Sequence, residues 1–274
     1  MRTLLIFLAV LVGLALLGWA GLQITPRAFT DLEPPATTPA TTLATAPLPD
    51  DLPAPVERFY RELYGEQVPI IDTAVISGRG TMRIAGVTLP VRWRFLHDTG
   101  QAYRHRIETT WFGLRTLAID ERYLDGTARL ELPMGVVEGP NVDQGANLAL
   151  WAEAVWMPAV WVTDPRVRWE PIDEHTAVLV VPFDAEEETF VARFDPDTGL
   201  LQLLESMRFK GEDDATRTLW LNEVTAWSEL DGQLQPIETA VTWFDEGSPW
   251  AVLTTEQVVY DLELTDEVEL ASEP

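Results

Sequence analysis

Cysteine is absent from this 274-residue sequence, and Lys210 is its only lysine. Without cysteine the chain has no disulfide, no thiol nucleophile and no thiolate metal site. The 19 basic residues are outnumbered by 44 acidic residues, which gives a formal net charge of −25 at pH 7. A field of this sign repels nucleic acid and anionic lipid head groups. We therefore expect no nucleic-acid partner.

The usual catalytic signatures are also missing. The chain has no G-x-S-x-G nucleophile elbow, no H-E-x-x-H zinc motif, no phosphate-binding loop and no glycine-rich dinucleotide turn. Of its three histidines, His97 lies beside a predicted turn and His175 at a predicted strand start, where both fit ordinary surface positions. These absences favour a protein that is not an enzyme and that needs no cofactor.

A run of 22 residues without a charge, Thr3 to Ile24, follows Arg2. It is long enough to span a bilayer and longer than the apolar core of about 7–15 residues in a signal peptide. The competing interpretation is a signal peptide that is cleaved after Ala20. We predict a retained membrane anchor over residues 1–24, with the remaining chain on the extracytoplasmic side of the cell membrane.

Residues 25–52 are rich in proline, threonine and alanine. Such a composition cannot pack a core, so we predict an extended spacer that holds the following domain clear of the membrane. We assign the folded domain to residues 53–265 and an acidic tail to residues 266–274.

Apolar and polar residues alternate with period two through most of the folded domain, which is typical of strands that bury one face. We predict hairpin turns at residues 85–86, 98–100, 112–113 and 125–126. Residues 141–161 are apolar on every side, which predicts a buried helix that Pro158 kinks or ends. The fold class is therefore mainly β: a large curved antiparallel sheet, an open or partial barrel, wrapped around a buried helix.

Five arginines fall on one face of three adjacent predicted strands: Arg79, Arg92, Arg94, Arg104 and Arg106. The predicted turns place Arg94 opposite Arg104, and Arg92 opposite both Arg106 and Arg79. Like charges that face each other across strands are destabilising unless something neutralises them. We expect either the chain's own acids, Glu108 and Glu121 or the C-terminal segment, or an anionic ligand to do so.

Glu153 is the only charge between Asp143 and Asp164, in the apolar part of the predicted central helix. A buried carboxylate must be paired, neutralised or functional. We predict a basic or multiply hydrogen-bonding partner that holds the helix against the sheet, with a ligand-binding or catalytic role as the alternative. Trp156 lies in the same segment and serves either the core or a ligand.

His105 is the one histidine whose predicted position suggests a role in acid–base catalysis. A two-residue turn at 112–113 would place it directly opposite Asp120 on the next strand. A histidine beside a carboxylate is a pair that general acid–base catalysis uses. Because no nucleophile is near in the sequence, a structural hydrogen-bonded pair is the favoured interpretation.

Several segments resemble an uncharacterised bacterial family, the domain of unknown function numbered sixty-five forty-four. They are LPAPVERFY at 52–60, GRGTMRI at 78–84, Asp120, YLDG at 123–126 and LWAEAVWMPAVW at 150–161. The most distinctive of them is the Glu-x-x-Trp-x-Pro pattern of Glu153, Trp156 and Pro158. The resemblance covers roughly residues 52–230 and implies a fold rather than an activity. A wrapped sheet of this kind is also similar to the LolA and LolB lipoprotein carriers, which hold acyl chains on a concave apolar face.

We predict a membrane-tethered binding domain whose sheet holds an apolar, lipid-like ligand or an anionic small ligand. Two alternatives stay open: an envelope scaffold or protein-interaction module, and a hydrolase that uses Glu153 or the pair of His105 and Asp120. The predicted ligand-binding residues are Arg79, Arg92, Arg94, Arg104, Arg106, Glu153 and Trp156.

Overall fold

The computed structural model of this protein describes residues 2–30 and 43–262. Residues 31–42 of the predicted spacer and the predicted tail, 266–274, lie outside the described residues. The helices are α1 (Arg2–Leu22), α2 (Ala54–Tyr64), α3 (Pro140–Glu153) and α4 (Val160–Thr163), with 3₁₀ turns at Ala154–Trp156 and Phe244–Glu246. The strands are β1 (Thr45–Pro47), β2 (Gln67–Pro69), β3 (Thr73–Ile84), β4 (Val87–Asp98), β5 (Ala102–Trp111), β6 (Leu114–Leu124), β7 (Thr127–Leu132), β8 (Gly135–Val137), β9 (Arg168–Pro171), β10 (Thr176–Phe183), β11 (Glu186–Phe194), β12 (Leu201–Arg208), β13 (Thr218–Leu230), β14 (Gln233–Trp243) and β15 (Ala251–Tyr260).

One antiparallel sheet of thirteen strands dominates the fold. Its spatial order is β8-β7-β6-β5-β4-β3-β15-β14-β13-β12-β11-β10-β9. The edge strands β8 and β9 do not pair with each other, so the sheet stays open. β1, which lies in the predicted spacer, pairs with β2 of the predicted folded domain in a separate small sheet. The predicted class, a mainly β protein with an open antiparallel sheet, is confirmed.

α3 lies against the inner face of this sheet and is buried from Gln144 to Ala152. Its few polar side chains bind the strands around it: the side-chain amide of Asn147 donates to the carbonyl of Pro182, and that of Gln144 donates to Glu188. The helix ends at Glu153, earlier than predicted, and a 3₁₀ turn leads to Pro158. Proline lacks the amide hydrogen that a continuing helix needs, which is the predicted reason for the break.

The turn between β4 and β5 consists of residues 99–101, one position later than predicted. Asp98 therefore pairs with Ala102, Arg94 with Arg106, and Arg92 with Glu108. The predicted pairs of Arg94 with Arg104 and of Arg92 with Arg106 are wrong. Moving the turn by one residue shifts every pair by two, so each side chain keeps its face. The pairing of Arg79 with Arg92 is confirmed.

A β-bulge near the start of β6 changes the partner of His105. Thr110 pairs with Arg115, but Thr109 pairs with Leu117, so Thr116 is an extra residue on β6. The hydroxyl of Thr109 stabilises the bulge by accepting a hydrogen bond from the amide of Leu117 at 3.2 Å. A shift of one residue moves side chains to the opposite face of a strand. His105 therefore faces Glu121, and its predicted pairing with Asp120 is wrong.

Five connections lie at one end of the sheet, which we call the anchor rim: the turns at 85–86, 112–113 and 133–134 and the loops at 209–217 and 244–250. The pairings of Met82 with Ala251 and of Val91 with Thr109 place them at the same end. Large apolar side chains are exposed there: Val87, Trp111, Leu114, Met134 and Phe244. Met134 is 97% exposed and Leu114 is 72% exposed, although burial of such side chains is favourable.

α1 is long and apolar enough to cross a bilayer, with a mean hydropathy of 2.5. Its C-terminal end contacts the anchor rim, because the amide of Phe112 donates to the carbonyl of Gly21 at 2.9 Å and the indole of Trp111 donates to the carbonyl of Gly18 at 3.0 Å. A Cβ atom at Gly21 would lie only 2.5 Å from Nε1 of Trp111, so glycine permits this close contact.

Gly78 on β3 gives a test of the sheet's central register. A Cβ atom there would lie 1.9 Å from the carbonyl oxygen of Thr254 on β15, which is backbone and cannot rotate away. We expect Gly78→Ala to lower the free energy of unfolding by about 2–3 kcal/mol or to prevent folding, because two strands must separate. Thermal or urea unfolding measures the effect, with Gly211→Ala in an exposed loop as the control. Equal stability of the two variants would contradict the register of β3 and β15.

Candidate functional site

A cavity of about 430 Å³ lies between α3 and the inner face of the sheet. Its lining is mostly apolar and comes from both halves of the sheet and from the helical segment: Phe95, Ile107, Leu130, Ala149, Val155, Trp156, Leu204, Val224 and Leu253. A volume of roughly 300–1,000 Å³ with a few polar groups is typical of small-molecule sites.

The cavity opens at the anchor rim. Its lining includes Leu204 and Leu253, which are buried, and also Lys210, Glu212 and Glu246, which are exposed. The exposed residues belong to the loops at 209–217 and 244–250. Solvent therefore reaches the cavity from the same end of the sheet at which α1 is attached.

Trp156 forms part of the cavity wall in a fixed orientation. Its indole nitrogen donates to the hydroxyl of Thr255 at 2.9 Å and to the carbonyl of Pro236 at 3.2 Å. Its ring also packs against Trp93, with centroids 5.5 Å apart. Trp156 is therefore a buried core residue, and it also lines the cavity.

Glu153 lies at the inner end of the cavity, between α3 and two strands. Its Oε2 is 2.7 Å from Nε2 of His105 on β5 and 3.1 Å from Nε2 of His97 on β4. Only 16% of the glutamate side chain is exposed. Two histidines thus occupy the place of the basic partner that the sequence predicts.

The electrostatics of this group follow from burial and mutual attraction. Burial alone would lower the pKa of His105, but the carboxylates of Glu153 and Glu121 outweigh it and raise the pKa to about 9. Burial would raise the pKa of Glu153, yet the charge and hydrogen bond of His105, with a smaller contribution from His97, lower it to about 2. The raised pKa of His105 and the lowered pKa of Glu153 correspond to an ion pair between these two residues.

His97 is fully buried, so its predicted surface position is wrong. Since the turn begins at Thr99, His97 still lies within β4 and continues the inward-facing series of Val91, Trp93 and Phe95. That spacing of two residues was a readable signal for its orientation. Burial lowers the pKa of His97, and its contact with Glu153 opposes this effect.

The bulge in β6 brings Glu121 into the site and turns Asp120 away from it. Glu121 accepts a hydrogen bond from the hydroxyl of Tyr103 at 2.7 Å, and its other oxygen is 3.6 Å from Nδ1 of His105. Asp120 instead binds the guanidinium of Arg104 on the outer face at 2.8 Å. The expectation that Glu121 neutralises the arginine face is therefore wrong.

Arg208 lines the cavity between the anchor rim and this cluster, and sequence reasoning missed it. Its guanidinium lies over the ring of Trp220, 4.3 Å from the centroid, and its Nε is buried without a hydrogen-bond acceptor among the described residues. Burial lowers the pKa of Arg208, and the negative charge of Glu121 opposes this effect. A cation in an apolar cavity is suited to hold a negatively charged ligand group.

The five predicted arginines lie on the outer face of the sheet, away from the cavity. Acids of the same chain neutralise four of them: Arg79 binds Glu256, Arg92 binds Glu108, and Arg104 and Arg106 contact Asp120. Arg94 donates to the carbonyl of Thr30, and its guanidinium lies 5.0 Å from the ring centroid of Phe29. Residues 26–30 thus run along this face, and a ligand there stays a prediction.

Of the residues singled out in the sequence, Glu153, Trp156 and His105 line one cavity together with Glu121 and Arg208. His97 does not line it but contacts Glu153 from β4. His97, His105 and Glu153 are also able to hold a metal ion, because their donor atoms lie within 4.8 Å of one another. His175 does not line the cavity, and 37% of its side chain is exposed, which agrees with its predicted surface position.

A family model described as a family of unknown function, DUF6544, matches residues 42–254. The chain belongs to the DUF6544 family. No curated protein matches it. The match begins before the predicted domain start at residue 53 and includes β1.

Three solved structures are similar to this DUF6544 protein over most of their length. A DUF1329 family protein from Desulfovibrio piger is 13% identical, with a TM-score of 0.42, over 72% of this chain and 88% of that one. A putative outer membrane lipoprotein-sorting protein domain from Vibrio parahaemolyticus is 10% identical, with a TM-score of 0.43, over 78% of this chain and 93% of that one. A LolA superfamily protein from Nitrosomonas europaea is 12% identical, with a TM-score of 0.45, over 78% of this chain and 94% of that one.

We predict that the carboxylate of Glu153 stabilises the DUF6544 fold. Glu153→Ala leaves the histidine pair without its buried partner, which typically costs about 3–5 kcal/mol of unfolding free energy. Glu153→Gln keeps the shape and part of the hydrogen bonding, so we expect a smaller loss. Urea unfolding compares both with Glu229→Ala, which removes an exposed carboxylate. An unchanged midpoint for Glu153→Ala would show that the site is not structural.

Proposed function

We propose that this protein is a membrane-tethered extracytoplasmic binding domain for a lipid-like amphiphile. In this proposal the apolar tail lies in the cavity between α3 and the sheet, and a negatively charged or strongly polar head contacts Arg208. The observation that carries the proposal is the direction in which the cavity opens, which is toward the anchor rim.

The anchor rim supports passage of a ligand between the bilayer and the cavity. α1 is attached there through Gly18 and Gly21, which keeps the cavity opening close to the end of the apolar helix. Exposed apolar side chains on three turns and one loop of the same rim, including Leu114 and Met134, are suited to the membrane interface. An amphiphile could then move into the cavity without exposing its tail to water, which is unfavourable.

The lining of the cavity supports a ligand that is mainly apolar. Leu204, Val224 and Leu253 offer no hydrogen bonds, so a polar ligand would lose its hydration there without compensation. Arg208 is the exception, because its buried Nε lacks an acceptor among the described residues. This combination is complementary to a fatty acid or another amphiphile with one anionic head.

Ala149→Trp tests the cavity itself, because Ala149 is buried on α3 and lines the cavity. We expect the full chain, purified in detergent, to bind a fluorescent fatty acid and the variant to bind it at least about tenfold more weakly. Ala185→Trp, in an exposed turn, is the matched control. Native mass spectrometry of the wild type should also show a co-purified amphiphile. Equal binding by both variants, each with a native circular dichroism spectrum, would refute the proposal.

Arg208→Gln tests the predicted head-group contact. Loss of a charge-assisted hydrogen bond of about 1.5–3 kcal/mol should weaken binding of the fluorescent fatty acid by about 10- to 100-fold. Binding of the corresponding fatty alcohol, which has no charge, should change little. Arg193→Gln removes an exposed arginine and serves as the control. An equal loss for acid and alcohol would assign Arg208 to the structure of the cavity rather than to the head group.

The tether predicts that the mature protein keeps residues 1–24. Cleavage after Ala20 would remove Gly18, which accepts the hydrogen bond from Trp111. Intact mass spectrometry of protein extracted from membranes should therefore give a chain that includes the whole of α1. A mass that corresponds to a chain beginning at Gly21 would show a signal peptide instead.

A further inference from the structure

Two buried imidazoles approach the same carboxylate oxygen at the inner end of the cavity. Nε2 of His105 is 2.7 Å, and Nε2 of His97 is 3.1 Å, from Oε2 of Glu153. The three residues belong to β5, β4 and α3, so a sheet and a packed helix fix their positions. Ligand atoms of a tetrahedral zinc ion lie about 3.3 Å apart, given metal–ligand distances of about 2.0–2.1 Å. The two distances to Glu153 are near this spacing, and all three donor atoms lie within 4.8 Å of one another.

Among the described residues, the ring of His97 is only partly satisfied, because its one polar contact is with Glu153. It is fully buried, and neither ring nitrogen makes a hydrogen bond of acceptable geometry among the described residues, although Nε2 is close to Glu153. A buried polar group without a hydrogen-bond partner is destabilising. Coordination of a metal ion by Nε2 would remove much of this cost.

Glu121 gives His105 the orientation that metal ligands usually have. Its carboxylate is 3.6 Å from Nδ1 of His105 and is itself held by the hydroxyl of Tyr103. Metal-binding histidines commonly direct their second ring nitrogen toward a carboxylate, which places the proton there. Nε2 would then face Oε2 of Glu153 with its lone pair when a metal ion lies between them, and with a proton when none does.

We propose that His97, His105 and Glu153 bind a divalent first-row transition-metal ion of the zinc type. Two imidazoles and one carboxylate, without thiolate, are the ligands that zinc and non-haem iron(II) use at sites with an open coordination position. His105 and Glu153 line the cavity, so the open position faces it and is available to water or to a negatively charged ligand group. The metal proposal does not depend on the binding of an amphiphile.

The experiment measures metal binding by the full chain in detergent, without added amphiphile. The protein is stripped with a chelator and titrated with Zn²⁺ while excess Ca²⁺ occupies exposed carboxylates. We expect one equivalent of tightly bound Zn²⁺ and a higher Tm, because the ion binds the folded state. His97→Gln should abolish both effects, and His175→Gln, which changes an exposed histidine, should retain them.

Glu121→Gln distinguishes a positioning residue from a ligand. It should weaken Zn²⁺ binding by about 10- to 100-fold while one equivalent still binds at saturation. If His97→Gln does not fold, the wild type decides the question, because Co²⁺ bound to two imidazoles and a carboxylate should give the visible absorption bands of a four- or five-coordinate ion. Absence of those bands, or Zn²⁺ binding that a folded His97→Gln variant retains, would overturn the proposal. The cation between His105 and Glu153 would then be a proton.

Discussion

A carboxylate buried between a helix and a sheet must be compensated by charge or hydrogen bonds, and Glu153 imposes that requirement here. α3 is otherwise mostly apolar, and Gln144 and Asn147 bind the surrounding strands nearer its N-terminal end. The contacts of Glu153 with His105 and His97 join the end of α3 to β5 and β4. They select one position of the helix, and this position defines the cavity that lies beside it.

Charged side chains have different environments on the two faces of the sheet. On the outer face, arginines such as Arg92 and Arg104 meet acids of neighbouring strands, where water lowers both the cost and the benefit of each pair. On the inner face a small charged group, His105, Glu121, Glu153 and Arg208, lies in apolar surroundings. Electrostatic interactions are stronger there, so a ligand or metal ion that changes one of these charges affects the whole group.

The opening of the cavity, the apolar turns and the end of α1 all lie at the anchor rim. This arrangement results from the antiparallel order of the strands, because successive hairpins bring alternate connections to the same end of the sheet. Residues 26–30 run back along the outer face, where their carbonyl groups accept from Arg79, Arg92 and Arg94. The end of a long apolar helix and the opening of an apolar cavity thus lie at the same end of the domain.

Local sequence patterns were sufficient to predict the apolar helix, the alternating strands, the break at Pro158 and the isolation of Glu153, because each depends on neighbouring residues. The partners of Glu153 were not predictable in this way. One extra residue, Thr116, decides that Glu121 rather than Asp120 faces inward, and a turn that begins at Thr99 keeps His97 within β4. Strand register depends on hydrogen bonds between segments that are distant in sequence, and a shift of a single residue exchanges the two faces of a strand. The sequence by itself thus determined that a buried carboxylate needed a partner, and only the tertiary structure decided that two histidines supply it.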